Sequence, residues 1–256
     1  MIKIVSKIAS AAALAVVASS AHATLLFEVS QFGGAVGNEV NLCNSSTSVG
    51  CTVGEYTVTS FLGNQVVTFS AVVGDYAVSS TSTTSNTPGA ADFARVSTTA
   101  LTVSRISFAG GAGAQLFVGV RAFNFSQPDG ELKTLTGSSG MSSPGGTGSG
   151  TITSRFWADA SNTGGTPAAT LLTCTYPLSS AASCDAGSLI WADPAGSGGG
   201  LFSLRSEHSF MLANGSTFEG TTSLVAGRIP EPMTASLVGV ALLGLALASK
   251  RKARAA

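Results

Sequence analysis

Gln115-Leu-Phe-Val-Gly-Val-Arg-Ala-Phe-Asn-Phe125 alternates with a period of two: Leu116, Val118, Val120 and Ala122 fall on one side, and Gln115, Gly119 and Arg121 on the other. A backbone that sends successive side chains to opposite faces is a β-strand; a helix would scatter these residues around its axis. The same pattern recurs at residues 55–62, 65–71, 75–79, 101–108, 151–157, 201–212 and 216–225. These runs are rich in Val, Thr, Phe and Tyr, and Gly, Asn, Pro and Ser separate them. No window of twelve or more residues between Thr24 and Ile229 carries a helical stripe. Many short strands joined by turn signals predict an all-β, antiparallel, jelly-roll-like sandwich over residues 24–229. Those 206 residues are enough for one good core.

Composition excludes two classes. Only 10% of the 256 residues are charged, and the formal net charge is zero. An average soluble domain carries roughly 25% charged residues. No basic face is therefore available for nucleic acid. With 44% apolar residues, wholesale disorder is excluded as well. Ser and Thr together supply 64 residues, a quarter of the chain.

The two ends read as addresses. Lys3 and Lys7 precede an apolar run over residues 8–18, and Ala21-His22-Ala23 places small residues at the two positions a signal peptidase reads. That pattern predicts a secretory signal peptide over residues 1–23, with the mature chain beginning at Thr24. At the other end, residues 233–249 are 17 residues without a charge, followed by Lys250, Arg251, Lys252 and Arg254. As a helix this run would be about 25 Å long, at the short end of the membrane-spanning range. The cations hold the tail on the cytoplasmic side, so the β-rich part lies outside. Between Thr24 and Ile229 there are 12 acidic and 7 basic residues, so the exported part is mildly acidic.

Pro230-Glu231-Pro232 stands directly before the span and holds the backbone extended there. Tripeptide, apolar span and basic tail in this order resemble the PEP-CTERM sorting signal, a tail also described as the ice-binding protein C-terminal domain. The resemblance covers residues 230–256, about a tenth of the chain, and departs from the common form in having Ile229 where Val is usual. It implies export through the inner membrane of a Gram-negative bacterium, with signal peptidase and the export machinery as partners. It implies recognition by exosortase, a membrane-embedded protease thought to cut near the tripeptide. It also implies a transient membrane anchor, release to the cell surface or beyond, and association with exopolysaccharide. A permanent single-pass anchor satisfies the same span argument.

Within the exported part, residues 137–150 hold six Gly, five Ser and one Pro and read as a flexible loop. Four cysteines, Cys43, Cys51, Cys174 and Cys184, would lie in an oxidising compartment, which predicts two disulfides. Three connectivities exist; proximity favours Cys43 with Cys51 and Cys174 with Cys184. No CxxC and no neighbouring His supports a zinc site, and no metal or other cofactor is expected.

Residues 156–165 echo residues 190–199, with five of ten positions shared at an offset of 34. In each, Trp closes a strand and Asp opens a Gly-rich turn. Two readings follow. Trp157 and Trp191 belong to equivalent buried corners, or they stack on sugar rings while Asp159 and Asp193 accept hydroxyl hydrogen bonds. The only His after signal removal is His208, expected on an exposed strand face. No Gly-x-Ser-x-Gly elbow accompanies it. A glycosidase pair such as Asp159 with Asp193 needs a spacing that sequence does not give. The expectation is a non-enzymatic structural or adhesive surface protein, with a carbohydrate-binding module as the alternative and an exported hydrolase as the third class.

Overall fold

The computed structural model describes residues 25–32, 40–44, 55–61, 64–87, 89–107, 113–128, 132–141, 147–178, 182–192 and 200–229. Their strands are β1 (Leu25–Phe32), β2 (Val40–Asn44), β3 (Glu55–Phe61), β4 (Asn64–Val73), β5 (Tyr76–Ser85), β6 (Phe93–Arg105), β7 (Gln115–Phe125), β8 (Leu132–Met141), β9 (Gly150–Asp159), β10 (Leu172–Pro177), β11 (Ser183–Ala192), β12 (Phe202–Leu212) and β13 (Thr217–Arg228). A 3-10 turn, Ala168–Thr170, precedes β10. The predicted runs correspond to β3 to β7, β9, β12 and β13. The period-two pattern did not reveal β1, β2, β8, β10 or β11.

Every pairing is antiparallel, in two sheets ordered β10-β9-β12-β7-β1-β2 and β11-β8-β13-β6-β5-β4-β3. Across the two sheets β6 faces β7, β8 faces β9, β10 faces β11 and β12 faces β13, while β9 and β10 are neighbours in one sheet. The sheets meet through their apolar faces. Phe27 of β1 lies 4.6 Å from Phe69 of β4, Phe210 of β12 lies 5.0 Å from Phe218 of β13, and Trp191 of β11 lies 5.6 Å from Phe202 of β12, ring centroid to centroid. The architecture is a β-sandwich with one hydrophobic core, which draws residues from both sides of the Gly/Ser stretch. Each fully buried Leu or Phe contributes about 1.5–3 kcal/mol relative to exposure.

The flexible loop expected over residues 137–150 is corrected in part. Residues 137–141 are the second half of β8, Thr147 bridges to Thr217, and Gly150 opens β9. Gly137 explains the strand in spite of its composition. A Cβ there would collide with the Phe156 ring from the opposite sheet, so glycine is required by close approach and not by flexibility.

Cys174 and Cys184 are disulfide-bonded, with Cα atoms 6.0 Å apart. β10 edges one sheet and β11 the other, so the bond staples the sandwich along one side. Replacing both cysteines by Ser is expected to cost about 2–3 kcal/mol, because a ten-residue loop is no longer closed in the unfolded chain. A lowered urea midpoint is the readout, with a slope equal to or slightly above that of the disulfide-bonded chain because the unfolded state is less constrained. The pairing of Cys43 with Cys51 lies outside the described residues. So do the signal segment with Ala21 and Ala23, the tripeptide Pro230 to Pro232, the apolar run 233–249 and the basic tail. Among the described residues no helix is long and apolar enough to cross a membrane.

Candidate functional site

The tryptophans do not form a stacking platform. Trp157 is 5% exposed and Trp191 4%. Trp191 points into the core against Phe202, and the buried Lys133 ammonium lies 5.4 Å from its ring. Trp157 is on the outer side of β9, yet the Arg205 guanidinium covers its face at 5.6 Å. Neither ring offers a free face to a sugar; both are buried, but the two corners are not equivalent, because Trp191 belongs to the core and Trp157 lies outside it beneath Arg205.

Asp159 is an organiser of its own turn. One carboxylate oxygen accepts from the Ser161 N–H (2.9 Å) and hydroxyl (2.5 Å). The other accepts from the Thr163 N–H (3.0 Å), the Thr163 hydroxyl (2.8 Å) and the Gly165 N–H (3.0 Å). Burial alone would raise its pKa, but the Ser161, Thr163 and Gly165 donors outweigh burial and hold it at about 2. A carboxylate so engaged is in no position to serve a substrate. Asp193, its counterpart in the echo, lies outside the described residues.

The expected exposed position of His208 is corrected. The side chain is 1% exposed, on the inner face of β12, between the rings of Phe156 (5.8 Å) and Phe210 (6.5 Å). Its Nδ1 lies 2.9 Å from Ser154 Oγ, and Nε2 has no partner among the described residues. Burial lowers its pKa to about 3, so it is a neutral core imidazole. The alternation that turns Arg205 and Glu207 to the outer face, where they are half-buried, sends His208 inward with Leu204, Ser206 and Phe210.

The concentration of chemistry lies elsewhere, on the outer face of the six-stranded sheet. Strand register puts Glu28 of β1 and Glu207 of β12 on either side of Gly119 of β7. One row further along, Arg121 of β7 stands directly opposite Arg205 of β12. Like charges directly opposite repel. The next row relieves this: Glu28 accepts from Arg121 at 2.6 Å, and Glu207 accepts from Arg205 at 2.9 Å and from Arg155 of β9 at 3.4 Å. Glu28 also lies 3.7 Å from Arg205. Burial and the charge of Arg121 lower the Arg205 pKa, while Glu207 and Glu28 oppose the fall.

Because Gly119 has no side chain, the two carboxylates flank a notch. It opens into a groove of about 520 Å³ bordered by Ser30, Gln115 and Phe117. A second hollow of about 650 Å³ lies over Gly137, Ser138 and Gly140 of β8 on the other sheet and is lined mainly by hydroxyl and glycine positions. Among the described residues no group of three or more His, Cys, Asp or Glu side chains could hold a metal ion.

The groove is suited to recognition. Glu28 and Glu207 sit two strands apart, roughly 9–10 Å at the backbone. Both are bound by guanidiniums, whereas a glycosidase needs one carboxyl that carries a proton for the leaving group. Sequence reading singled out none of these residues. The only signal was the Arg205-x-Glu207 spacing on one strand face, together with Gly119 and Arg121 in the stretch that decides the fold. Compared with family models, curated proteins and solved structures, the chain matches none.

Proposed function

We propose that the chain is an exported structural or adhesive protein of the cell surface or extracellular matrix. It carries a PEP-CTERM-type sorting tail, and its sandwich meets a ligand through the outer face of the six-stranded sheet. The single observation that carries the binding part is the groove over Gly119, where side chains from four strands gather into one ion-pair network with room for a guest. Its charged side chains are held in ion pairs, an arrangement that favours holding a ligand over acid–base chemistry. The strand order supports a jelly roll: β11-β8-β13-β6 and β10-β9-β12-β7 are the two four-stranded sheets of nested Greek keys, with β1 to β5 extending them.

The export part rests on the sequence of the two ends. A signal peptidase removes residues 1–23, the run 233–249 halts in the inner membrane as a helix, and the basic tail stays inside. An exosortase-type protease then cuts near Pro230-Glu231-Pro232 and frees the sandwich. Exopolysaccharide is the partner this route implies. Cell fractionation with terminal sequencing tests it. The expected mature chain begins at Thr24, ends near the tripeptide and is found at the surface or in the medium. Recovery of the complete tail in the inner membrane would overturn the sorting step.

A further inference from the structure

The groove's chemistry narrows the guest. Three of the seven basic residues between Thr24 and Ile229 gather in this one network, against two of the twelve acids. Counting Arg155, the network holds three cations and two anions, a local positive excess on an acidic domain. Arg121 Nε and Arg205 Nε are shielded from water and lack an acceptor. An unmet buried donor costs about 1–3 kcal/mol. A guest that draws the two guanidiniums outward gives both an acceptor.

Guanidinium forks select planar oxyanions, and carboxylate above all among biological groups attached to carbon. Glu28 and Glu207 point the other way: they oppose a ligand that offers carboxylates alone and accept hydrogen bonds from hydroxyls. Ser30 and Gln115 at the border add neutral donors and acceptors, and Phe117 adds an apolar patch for ring C–H groups. One class of molecule carries spaced carboxylates, many hydroxyls and apolar ring faces together.

We propose that the groove over Gly119 binds a uronate residue of an acidic polysaccharide. Its carboxylate lies against Arg121 and Arg205, and its hydroxyls donate to Glu28 and Glu207. The inference rests on the reading of this face as a ligand surface, and it adds the ligand's charge and class. An acidic peptide shares the carboxylate but lacks the hydroxyl donors, so Glu28 and Glu207 oppose it.

Affinity electrophoresis of the full chain in gels containing polygalacturonate, neutral dextran or polyglutamate tests the assignment. Polygalacturonate is expected to retard the protein in low salt, and dextran and polyglutamate to leave it unretarded. Arg121→Gln is expected to weaken polygalacturonate binding at least tenfold. Gly119→Val fills the notch and is expected to do the same. A Cβ there meets Glu28 Oε2 at 3.2 Å, Glu28 Cβ at 3.6 Å and Ser206 O at 3.9 Å, so the Glu28 carboxylate gives way to the first added carbon and the two methyls of Val displace it further. Thermal unfolding near the wild-type midpoint confirms that a variant is folded, and Gly119→Val keeps the test decisive if Arg121→Gln unfolds. Absence of retardation, equal retardation by dextran, retardation by polyglutamate alone, or folded variants that bind as wild type each overturn the proposal. The location found by fractionation is independent of these outcomes, so failure here is distinguishable from failure of the export reading.

Discussion

Asp75→Ala is expected to destabilise the sandwich by about 3–5 kcal/mol, the cost of breaking a buried ion pair from one side. Asp75 and Arg105 are each 1% exposed, and Arg105 Nη2 lies 3.2 Å from Asp75 Oδ2. Arg105 also donates from Nη1 to the Leu212 carbonyl at 2.8 Å and from Nε to the Ser107 carbonyl at 3.2 Å. Its guanidinium lies 5.7 Å from the centre of the Tyr76 ring. On the other side, the Asp75 N–H donates to Gln31 Oε1 at 2.6 Å. The cluster thus ties the β4–β5 turn to the ends of β6 and β12 and to β1, a corner where both sheets meet. Taking away the carboxylate leaves the guanidinium in a site with little water, and the loss of net attraction is only part of the cost. Urea unfolding of Asp75→Ala, Arg105→Met and the double variant is the measurement. The single changes are expected to be severe, and the double change to cost less than the sum of the two, because a paired removal leaves no stranded charge. Additive losses would show that the two side chains do not act as a pair.

How far the fold could be read from the chain depended on what each strand packs against. Strands with one solvated face, such as β4, β7 and β13, alternate as antiparallel physics requires and were legible. β8 was not, because its second half is Gly137-Ser-Ser-Gly-Met141, a composition of loops. Glycine is there so that Phe156 of the facing sheet can approach, a reason that exists only in three dimensions. β11 was masked by a bulge between Asp185 and Ser188 that breaks its period. His208 was misplaced for the opposite reason. Its neighbours Glu207 and Ser209 are polar, and polarity was read as exposure, although alternation itself sends every second residue inward. The groove was the least legible feature. Glu28, Arg121 and Glu207 are far apart along the chain and meet through the orders β1-β7 and β7-β12, and strand order is a property of the tertiary fold. Of the two readings of the tryptophans, burial decides against stacking on sugar rings.

The buried imidazole makes acid the condition to which this core is most exposed. His208 has an ordinary value of 6.5 when unfolded and about 3 in the fold, because burial disfavours its charged form. Above pH 6.5 the imidazole is neutral in both states, so its contribution to stability is fully present. Below pH 6.5 the unfolded chain takes up a proton that the folded one refuses. Stability therefore falls by about 1.4 kcal/mol per pH unit until the folded group titrates near pH 3. Asp159 extends the loss lower: its value drops from 3.8 to about 2 on folding, so the stability it adds above pH 3.8 disappears as pH falls through 2. The two groups act in the same direction in adjoining windows. Between pH 7 and pH 4.5 the His208 contribution should fall by roughly 2–3 kcal/mol. His208→Gln keeps a polar group near Ser154 Oγ and cannot take up the proton. The variant is expected to be less stable at pH 7, from imperfect packing, but to lose about 2–3 kcal/mol less than wild type on going to pH 4.5, so the two stability curves converge. Parallel curves from urea titrations at both pH values would place the acid sensitivity in some other group.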